Sequence, residues 1–449
     1  MKMRPPTMTC WDRRTSWLPC FTGRTVFHPS PSHMRGPMLA LILLHILAAS
    51  LTYAEPYTPA SDDAVVETLP QHAASRGPRN ASAAPSTDLG GAVEQATSDF
   101  EMARVSGDPR YLGHAQAALQ PWWNARTPAP AIALLRAQIR QHNHNFGDAL
   151  ADLDYLASRE PRNAQVHLMR AAIHQAQGRY DAAEQDCRRL ALRAPPLTTA
   201  DCISRVISHR GQARAAYDRL LTLRDRAGDV DSKQLREIEL TLADIASRLG
   251  DEKAREHYLV ALAAGVDGYA LAAYADFLLD RQEFRAVLAL SQQYADHPDL
   301  LLRAAIAARE TADPQGPALA ERLRSQYAAH QRRGDFAPSR EYARFLLRVE
   351  GDADAALAAA LAAWRSQREP ADARIVLEAA VATGRAGVAA SVVEHIESNN
   401  LEDVRLQALV KEVRRLEEML TRTARSLNDS LSLEGEGRPE GAPRARIAL

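Results

Sequence analysis

The sequence predicts an all-α protein built as a solenoid of stacked antiparallel helix hairpins. A short string recurs as LLRA at 134–137, LMRA at 168–171 and LLRA at 301–304, and the first two copies are 34 residues apart. A fixed period in this range indicates a stacked array of identical units. The chain is also rich in Ala, Leu and Arg, which are strong helix formers, so the repeated unit is predicted to be helical.

The composition is that of a folded protein with no strong charge preference. Apolar residues make up 46% and charged residues 25% of the 449 residues, as in soluble globular proteins. The formal net charge is −1, which removes the usual electrostatic argument for binding nucleic acid or an anionic membrane surface. We therefore predict no nucleic-acid partner.

A segment near the N-terminus has the features of a secretory signal. Residues 38–51 read MLALILLHILAASL, with Arg35 before this run and the small residue Ala54 before Glu55. A basic start, a short apolar run and a small residue at the cleavage site define such signals, whereas a membrane span needs about 20 apolar residues. We predict a signal peptide over 34–54 and no stable membrane span after its cleavage.

The remaining terminal regions lack helical apolar spacing. We interpret residues 1–33 as a stretch upstream of the true start; a genuine leader is the alternative. Residues 55–88 and 427–449 are rich in small and polar residues and Pro. Such segments cannot bury enough surface to offset chain entropy, so we predict a disordered linker and a disordered tail around a solenoid over 89–426.

Two windows, 130–163 and 164–197, align without a gap and define the repeat. Small residues, aromatic residues, Arg and Pro recur at the same places in both. The matched pairs are Arg136 and Arg170, Ala137 and Ala171, Phe146 and Tyr180, Ala149 and Ala183, and Pro161 and Pro195. Apolar residues with helical spacing on both sides of a central turn predict two helices per window. One such hairpin cannot bury its apolar face alone, so stacking is required.

These windows resemble the tetratricopeptide repeat (TPR) family. The family pattern has a small residue at position 8, Gly at 15, an aromatic at 17, Ala at 20 and Pro at 32. The second window matches all five with Ala171, Gly178, Tyr180, Ala183 and Pro195. The first has His144 where Gly is common, and both windows carry Arg where Leu is usual at position 7. The resemblance implies a right-handed α-solenoid. The period of the sequence indicates about eight hairpins between 130 and 398.

Two cysteines lie on helices that this repeat numbering packs together. Cys187 is on the second helix of one hairpin and Cys202 on the first helix of the next. Because disulfides persist in the oxidising space that an exported chain enters, we predict a disulfide between Cys187 and Cys202. The alternative is two buried thiols whose Cα atoms lie too far apart to be bridged.

The resemblance also implies a concave groove that binds a protein or peptide. It directs seven side chains of the two clearest repeats towards that groove, namely Leu134, Gln138, Gln141, Gln165, Leu168, Ala172 and Gln175. The equivalent residues Arg136, Arg170 and Arg303 could form a basic ladder for an acidic peptide. We favour the alternative that each side chain lies along the core and pairs with a nearby carboxylate.

We find no motif of an enzyme or a cofactor site. The sequence lacks a Gly-rich phosphate loop, a nucleophile elbow, a metalloprotease helix and paired CxxC motifs, so we predict a non-enzyme without a cofactor. His142 and His144 are two residues apart and cannot share a helix face, so we expect no metal site from them with His167 and His174.

The predicted function is a protein-binding scaffold or adaptor, exported to the periplasm of a bacterial cell envelope. The alternative is an accessory protein that binds small solutes or metal ions for an envelope transport system. Converging His and carboxylate side chains in the groove would favour this alternative, and an apolar or Gln-lined groove would favour the scaffold. A third interpretation is an intracellular repeat protein with a misjudged N-terminus.

Overall fold

The computed structural model describes residues 88–435 except 296 and 334–338, and the side chains of 333 and 427–435 are also not described. All described residues belong to the compact unit Ser82–Leu449. The predicted leader, signal peptide and nearly all of the predicted linker lie outside the described residues, as does the end of the predicted tail. Export therefore stays a prediction.

The described part of the chain folds into nineteen α-helices and contains no strand, which confirms the all-α prediction. The helices are α1 Leu89–Ser106, α2 Arg110–Ala118, α3 Pro130–His142, α4 Phe146–Arg159, α5 Ala164–Ala176, α6 Tyr180–Arg188, α7 Pro196–Ile207, α8 Ala213–Arg226, α9 Ser232–Arg248, α10 Ala254–Ala264, α11 Gly268–Asp280, α12 Phe284–Gln293, α13 Leu301–Glu310, α14 Gly316–Arg333, α15 Arg340–Phe345, α16 Ala353–Trp364, α17 Pro370–Ala382, α18 Ala390–Ser398 and α19 Val404–Gly435.

Consecutive helices pair into hairpins, and the hairpins stack. Each odd-numbered helix from α1 to α17 packs against the even-numbered helix that follows it. These odd-numbered first helices also contact one another in sequence order, so they form one continuous inner row. Eight hairpins lie between 130 and 398. The predicted α-solenoid of helix hairpins is confirmed.

The turn inside each hairpin needs a residue with left-handed backbone geometry. Gly178 has φ 71° and His144 has φ 57°. The following amide closes both turns in the same way, since Arg179 donates to the His174 carbonyl and Asn145 to the Arg140 carbonyl, each at 2.8 Å. The turn geometry is thus kept at His144, where a left-handed residue with a side chain costs about 1–2 kcal/mol.

The recurring aromatic residues fill the joint between hairpins. Phe146 and Tyr180 begin α4 and α6 and are only 5% and 3% exposed. The small residues Ala137 and Ala171 on the facing first helices are 0% and 2% exposed, which allows the helices to approach closely. The residues that recur in the repeat are therefore the ones buried between the helices.

The last helix closes the stack and then leaves it. Leu406, Val410 and Val413 of α19 are buried against the last hairpin, whereas Met419 and Leu420 are about half exposed. The helix ends at Gly435, beyond residue 427, where we predicted the tail to begin. Leucines at 427, 431 and 433 favour helix, and the Ser-rich composition of this segment concealed that preference.

The stack bends so far that its two halves touch. The amide of Arg368 donates to the Ala176 carbonyl at 2.7 Å, and the amide of Ala213 donates to the Glu402 carboxylate at 2.6 Å. Arg104 of the first hairpin reaches Asp267 at 3.2 Å. Residues near the turns of two N-terminal hairpins thus contact the C-terminal part of the stack.

One buried histidine stands where hairpins meet. His209 is 4% exposed, and its Nδ1 lies 2.8 Å from the Arg205 carbonyl. Its ring stacks on Tyr180 with the ring centroids 5.5 Å apart. Burial, together with the charge of Arg248, lowers the pKa of His209 to about 3. The imidazole is therefore neutral in the folded protein.

We expect the protein to lose stability as the pH falls below about 6.5. Unfolded His209 gains a proton near pH 6.5, whereas folded His209 does so only near pH 3. Between these values the unfolded state binds more protons, so unfolding becomes easier at lower pH, by about 2 kcal/mol at pH 5 from this residue alone. Urea unfolding at pH 7.5 and at pH 5 measures the loss.

The variant His209→Gln should show a correspondingly smaller loss between the two pH values. The matched control is His114→Gln, because His114 is exposed and its removal should leave the pH dependence unchanged. Equal pH dependence in both variants and the parent would contradict the assignment of this effect to His209.

Candidate functional site

A cavity of about 860 Å³ opens on the inner side of the first five hairpins. Its walls are the inner faces of α1, α3, α5, α7 and α9. Six of the seven residues predicted for the groove line it, namely Gln138, Gln141, Gln165, Leu168, Ala172 and Gln175. Leu134 does not line it. Its side chain is half-buried and packs against the apolar cluster around Phe146 and Leu153.

Helical spacing explains why these residues face the same space. On α5, Gln165, Leu168, Ala172 and Gln175 are three or four residues apart and therefore form one stripe. The stripe continues on the next two first helices, which contribute Thr198, Asp201 and Arg205 from α7 and Gln234 and Glu237 from α9.

Hydrogen bonds link equivalent positions of α7 and α9. The Gln234 amide donates to the Thr198 hydroxyl at 2.8 Å, and the Arg205 guanidinium donates to the Thr241 hydroxyl at 2.9 Å. Each pair is 36 residues apart. These bonds fix the spacing of the two helices and hold the cavity wall in place.

The sequence analysis missed these residues, although a signal was present. Thr198, Asp201 and Arg205 lie 33 residues after Gln165, Leu168 and Ala172. A sequence search that allowed the period to vary by one or two residues would therefore have predicted groove residues on α7 and α9 as well.

Asp201 is the one wall carboxylate with a buried oxygen that lacks a donor in the described part of the chain. Its Oδ2 accepts from Arg205 at 3.2 Å, but its Oδ1 is fully buried and accepts no hydrogen bond there. The nearby Thr241 hydroxyl donates to the Glu237 carbonyl instead, at 3.1 Å. Burial raises the pKa of Asp201, and the charge of Arg205 and the neighbouring Thr241 hydroxyl oppose this shift.

The first helices of the C-terminal hairpins carry charges that satisfy one another. Arg303 pairs with Asp276 at 2.7 Å, and Arg344 pairs with the same carboxylate at 2.9 Å. Arg340 contacts Asp372 at 3.4 Å. Burial raises the pKa of Asp372 to about 7, although Arg340 opposes this. Arg303, Arg340 and Arg344 therefore all lie beside carboxylates of the stack.

The structure does not bring Arg136, Arg170 and Arg303 together as a basic ladder. Arg136 forms two hydrogen bonds to Asp152, at 2.9 and 2.5 Å, and both side chains are 6% exposed. Arg170 pairs with Asp186 at 3.2 Å and also with Asp154. All three guanidinium groups are held by carboxylates inside the stack, so the favoured alternative describes them and the ladder is absent.

Cys187 and Cys202 are placed as a disulfide between α6 and α7. Their sulfur atoms are 1.99 Å apart and their Cα atoms 5.5 Å apart. Both residues are buried, and Cys202 also lines the cavity. The alternative of Cα atoms too distant for a bridge is wrong, and the pair fastens two successive hairpins at the cavity wall.

The four histidines of the sequence analysis fall into two separate places. His142 and His144 line the cavity, and the Gln367 amide lies 2.8 Å from the His144 Nδ1. His167 and His174 lie 3.4 and 3.7 Å from Asp186. The described residues contain no group of three or more His, Cys, Asp or Glu side chains that could hold a metal ion. Among the described helices, none is long and apolar enough to span a membrane.

Comparison with known proteins shows a likeness to solved structures. No protein-family model matches the chain, and no curated protein sequence matches it. Among solved structures, the chain is similar to the crystal structure of the P58(IPK) TPR domain, with 15% sequence identity and a TM-score of 0.22. The match covers 73% of this chain and 98% of that one.

Proposed function

We propose that the protein is a non-catalytic scaffold or adaptor that holds an extended segment of another protein in its cavity. The observation that carries the proposal is a row of four glutamine side chains on α3 and α5. The side chains of Gln138, Gln141, Gln165 and Gln175 line the cavity and make no hydrogen bond to other described residues. Each amide has donors and an acceptor, which suits the N–H and C=O groups of a peptide backbone.

The size and shape of the site support the same function. A volume of about 860 Å³ lies within the range of about 300–1,000 Å³ that holds compact ligands, so the cavity has room for a few residues of an extended chain or for a small solute. Leu168 and Met169 supply an apolar floor between the amides. His142, His144 and several carboxylates also line the cavity, but the described residues contain no group of three such side chains that could hold a metal ion.

We place this scaffold in the bacterial cell envelope as part of the proposal. The support is the predicted signal peptide over 34–54 together with the disulfide geometry of Cys187 and Cys202, because disulfides persist in oxidising compartments. Recovery of the mature chain from the periplasmic fraction, with residues 1–54 absent by mass spectrometry, tests the location.

The binding function is tested with a photo-crosslinking amino acid at Gln175 in the full chain, expressed in its host. We expect one reproducible protein to be crosslinked. The crosslinked segment, made as a peptide, should bind the purified protein, and Gln138→Ala, Gln165→Ala and Gln175→Ala together should weaken this binding at least tenfold.

The matched control changes three exposed glutamines that lie outside the cavity, by Gln185→Ala, Gln292→Ala and Gln315→Ala. This triple variant should bind as the parent does. Equal weakening in both triple variants, or no crosslink from position 175, would contradict the proposal.

A further inference from the structure

We propose that Tyr269, one helix beyond the cavity, binds an aromatic side chain of the bound segment. This inference rests on the proposed function, since it assumes that the cavity holds a peptide. It adds a chemical preference at one position of that peptide, whereas the glutamines of α3 and α5 contact its backbone.

Tyr269 is the one exposed aromatic residue in the described part of the chain. It is 70% exposed, whereas every other Phe, Tyr and Trp described there is buried or half-buried. Its ring contacts no other aromatic ring among those residues, and its hydroxyl makes no hydrogen bond to them. Tyrosine is among the residues that most often supply binding energy at protein interfaces, and this ring is free to do so.

The position of Tyr269 continues the stripe that lines the cavity. Tyr269 lies on α11, 13 residues before Gln282, whose backbone is left-handed with φ 59°. Gln165 on α5 and Thr198 on α7 also lie 13 residues before the left-handed glycine of their own hairpin turn. Both of these residues line the cavity. The first helix of the next hairpin therefore presents an aromatic ring at the equivalent place.

Charged groups from four other elements of the stack act on the Tyr269 hydroxyl. Burial raises the pKa of Tyr269 to about 12; the charges of Asp244 on α9 and Glu369 before α17 also raise it, whereas Arg205 on α7 and Arg340 on α15 lower it. The exposed ring therefore faces the inner side of the stack. Two charges of each sign surround it, so they give no net preference for a charged side chain.

An extended segment can reach from the glutamines to this ring. The first helices α5, α7, α9 and α11 contact one another in sequence, and packed helices lie about 10 Å apart. An extended chain advances about 3.3 Å per residue, so about nine residues span α5 to α11. An aromatic side chain at that distance along the segment can pack on Tyr269 in an offset or edge-to-face arrangement.

The test uses the full-length protein and four fifteen-residue peptides of Gly, Ser and Ala, acetylated and amidated, with Phe, Leu, Lys or Glu at the centre. Fluorescence anisotropy gives each dissociation constant. We expect the Phe peptide to bind at least about fivefold more tightly than the Leu peptide, because only Phe forms an aromatic pair. Tyr269→Ala should reduce this ratio to about two or less. Tyr269→Phe should keep it, because the contact needs the ring and not the hydroxyl.

The control Leu192→Ala removes an apolar side chain that is 95% exposed and lies outside the cavity, so it should leave the ratio unchanged. Circular dichroism confirms that the variants are folded. Fluorine NMR of the protein labelled with 3-fluorotyrosine gives a second measurement. The signal that is missing in Tyr269→Phe should shift when the Phe peptide is added.

The outcomes separate this inference from the proposed function. Equal binding of the four peptides, or a ratio unaffected by Tyr269→Ala, would overturn the role of Tyr269 while leaving backbone binding intact. Tighter binding of the Lys peptide than of the Phe peptide would also overturn it. Failure of all four peptides to bind would overturn this inference and the peptide-binding function together.

Discussion

Replacing Asp152 by alanine is expected to lower the free energy of unfolding by about 3–5 kcal/mol. Asp152 on α4 accepts two hydrogen bonds from Arg136 on α3, at 2.9 and 2.5 Å, and both side chains are 6% exposed. The guanidinium also donates to the Ala125 carbonyl at 3.1 Å, so it cannot turn to solvent without losing that bond. Without the Asp152 carboxylate, the buried charge of Arg136 has no counter-charge, and this accounts for most of the lost free energy of unfolding.

Urea unfolding followed by circular dichroism measures this effect against a matched surface pair. Asp354 pairs with Arg385 at 2.9 Å, but these side chains are 70% and 60% exposed. Asp354→Ala should therefore cost less than about 1 kcal/mol. Asp152 also accepts from Arg140 at 2.7 Å, and that side chain is 19% exposed. The double variant Arg136→Met with Asp152→Leu should therefore recover only part of the stability, because it removes both buried charges but leaves Arg140 without its carboxylate. Similar small losses for Asp152→Ala and Asp354→Ala would refute the structural importance of the buried pair.

The same pair explains why both sequence windows carry Arg at position 7. Arg170 and Asp186 are 16 residues apart, as Arg136 and Asp152 are, so Arg at position 7 comes with Asp on the second helix. On α9 and α10 the arrangement is reversed, with Glu239 on the first helix and His257 on the second, 2.7 Å apart. The matching Asp at equal spacing was visible in the sequence and supports our preference for internal ion pairs.

The local features of the fold could be predicted because they depend on neighbouring residues. Helix pairs follow from apolar spacing, and Phe146, Tyr180 and the small residues mark the joints between hairpins. The approach of Cys187 and Cys202 follows from hairpin stacking alone. These contacts lie within a repeat or between adjacent repeats. Such contacts supply most of the stability of a solenoid.

The closure of the stack and half of the site could not be predicted in this way. The bonds from Arg368 to Ala176 and from Ala213 to Glu402 join repeats far apart in sequence, and nearest-neighbour reasoning does not contain them. Asp201 and Glu237 were missed because the interval between equivalent residues changes along the chain. Small length changes in the loops alter that interval while the inner stripe stays aligned in space.

The disulfide between α6 and α7 is the second contact with a large expected effect on stability. Cys187 and Cys202 are separated by 15 residues, and a bridge across a loop of about this length stabilises a protein by about 3 kcal/mol, chiefly by restricting the unfolded chain. We expect the double variant Cys187→Ala with Cys202→Ala to lose about this much.

Urea unfolding with and without reductant tests the disulfide, after peptide mapping has located the bond in the purified protein. Reductant should destabilise the parent by about 3 kcal/mol and leave the double variant unchanged, so the variant serves as the control for other effects of the reagent. Cys202 also lines the cavity. Loss of the disulfide should therefore also raise the dissociation constant of any peptide bound there. A parent whose mapped bond is reduced without loss of stability would show that hairpin packing alone holds this part of the wall.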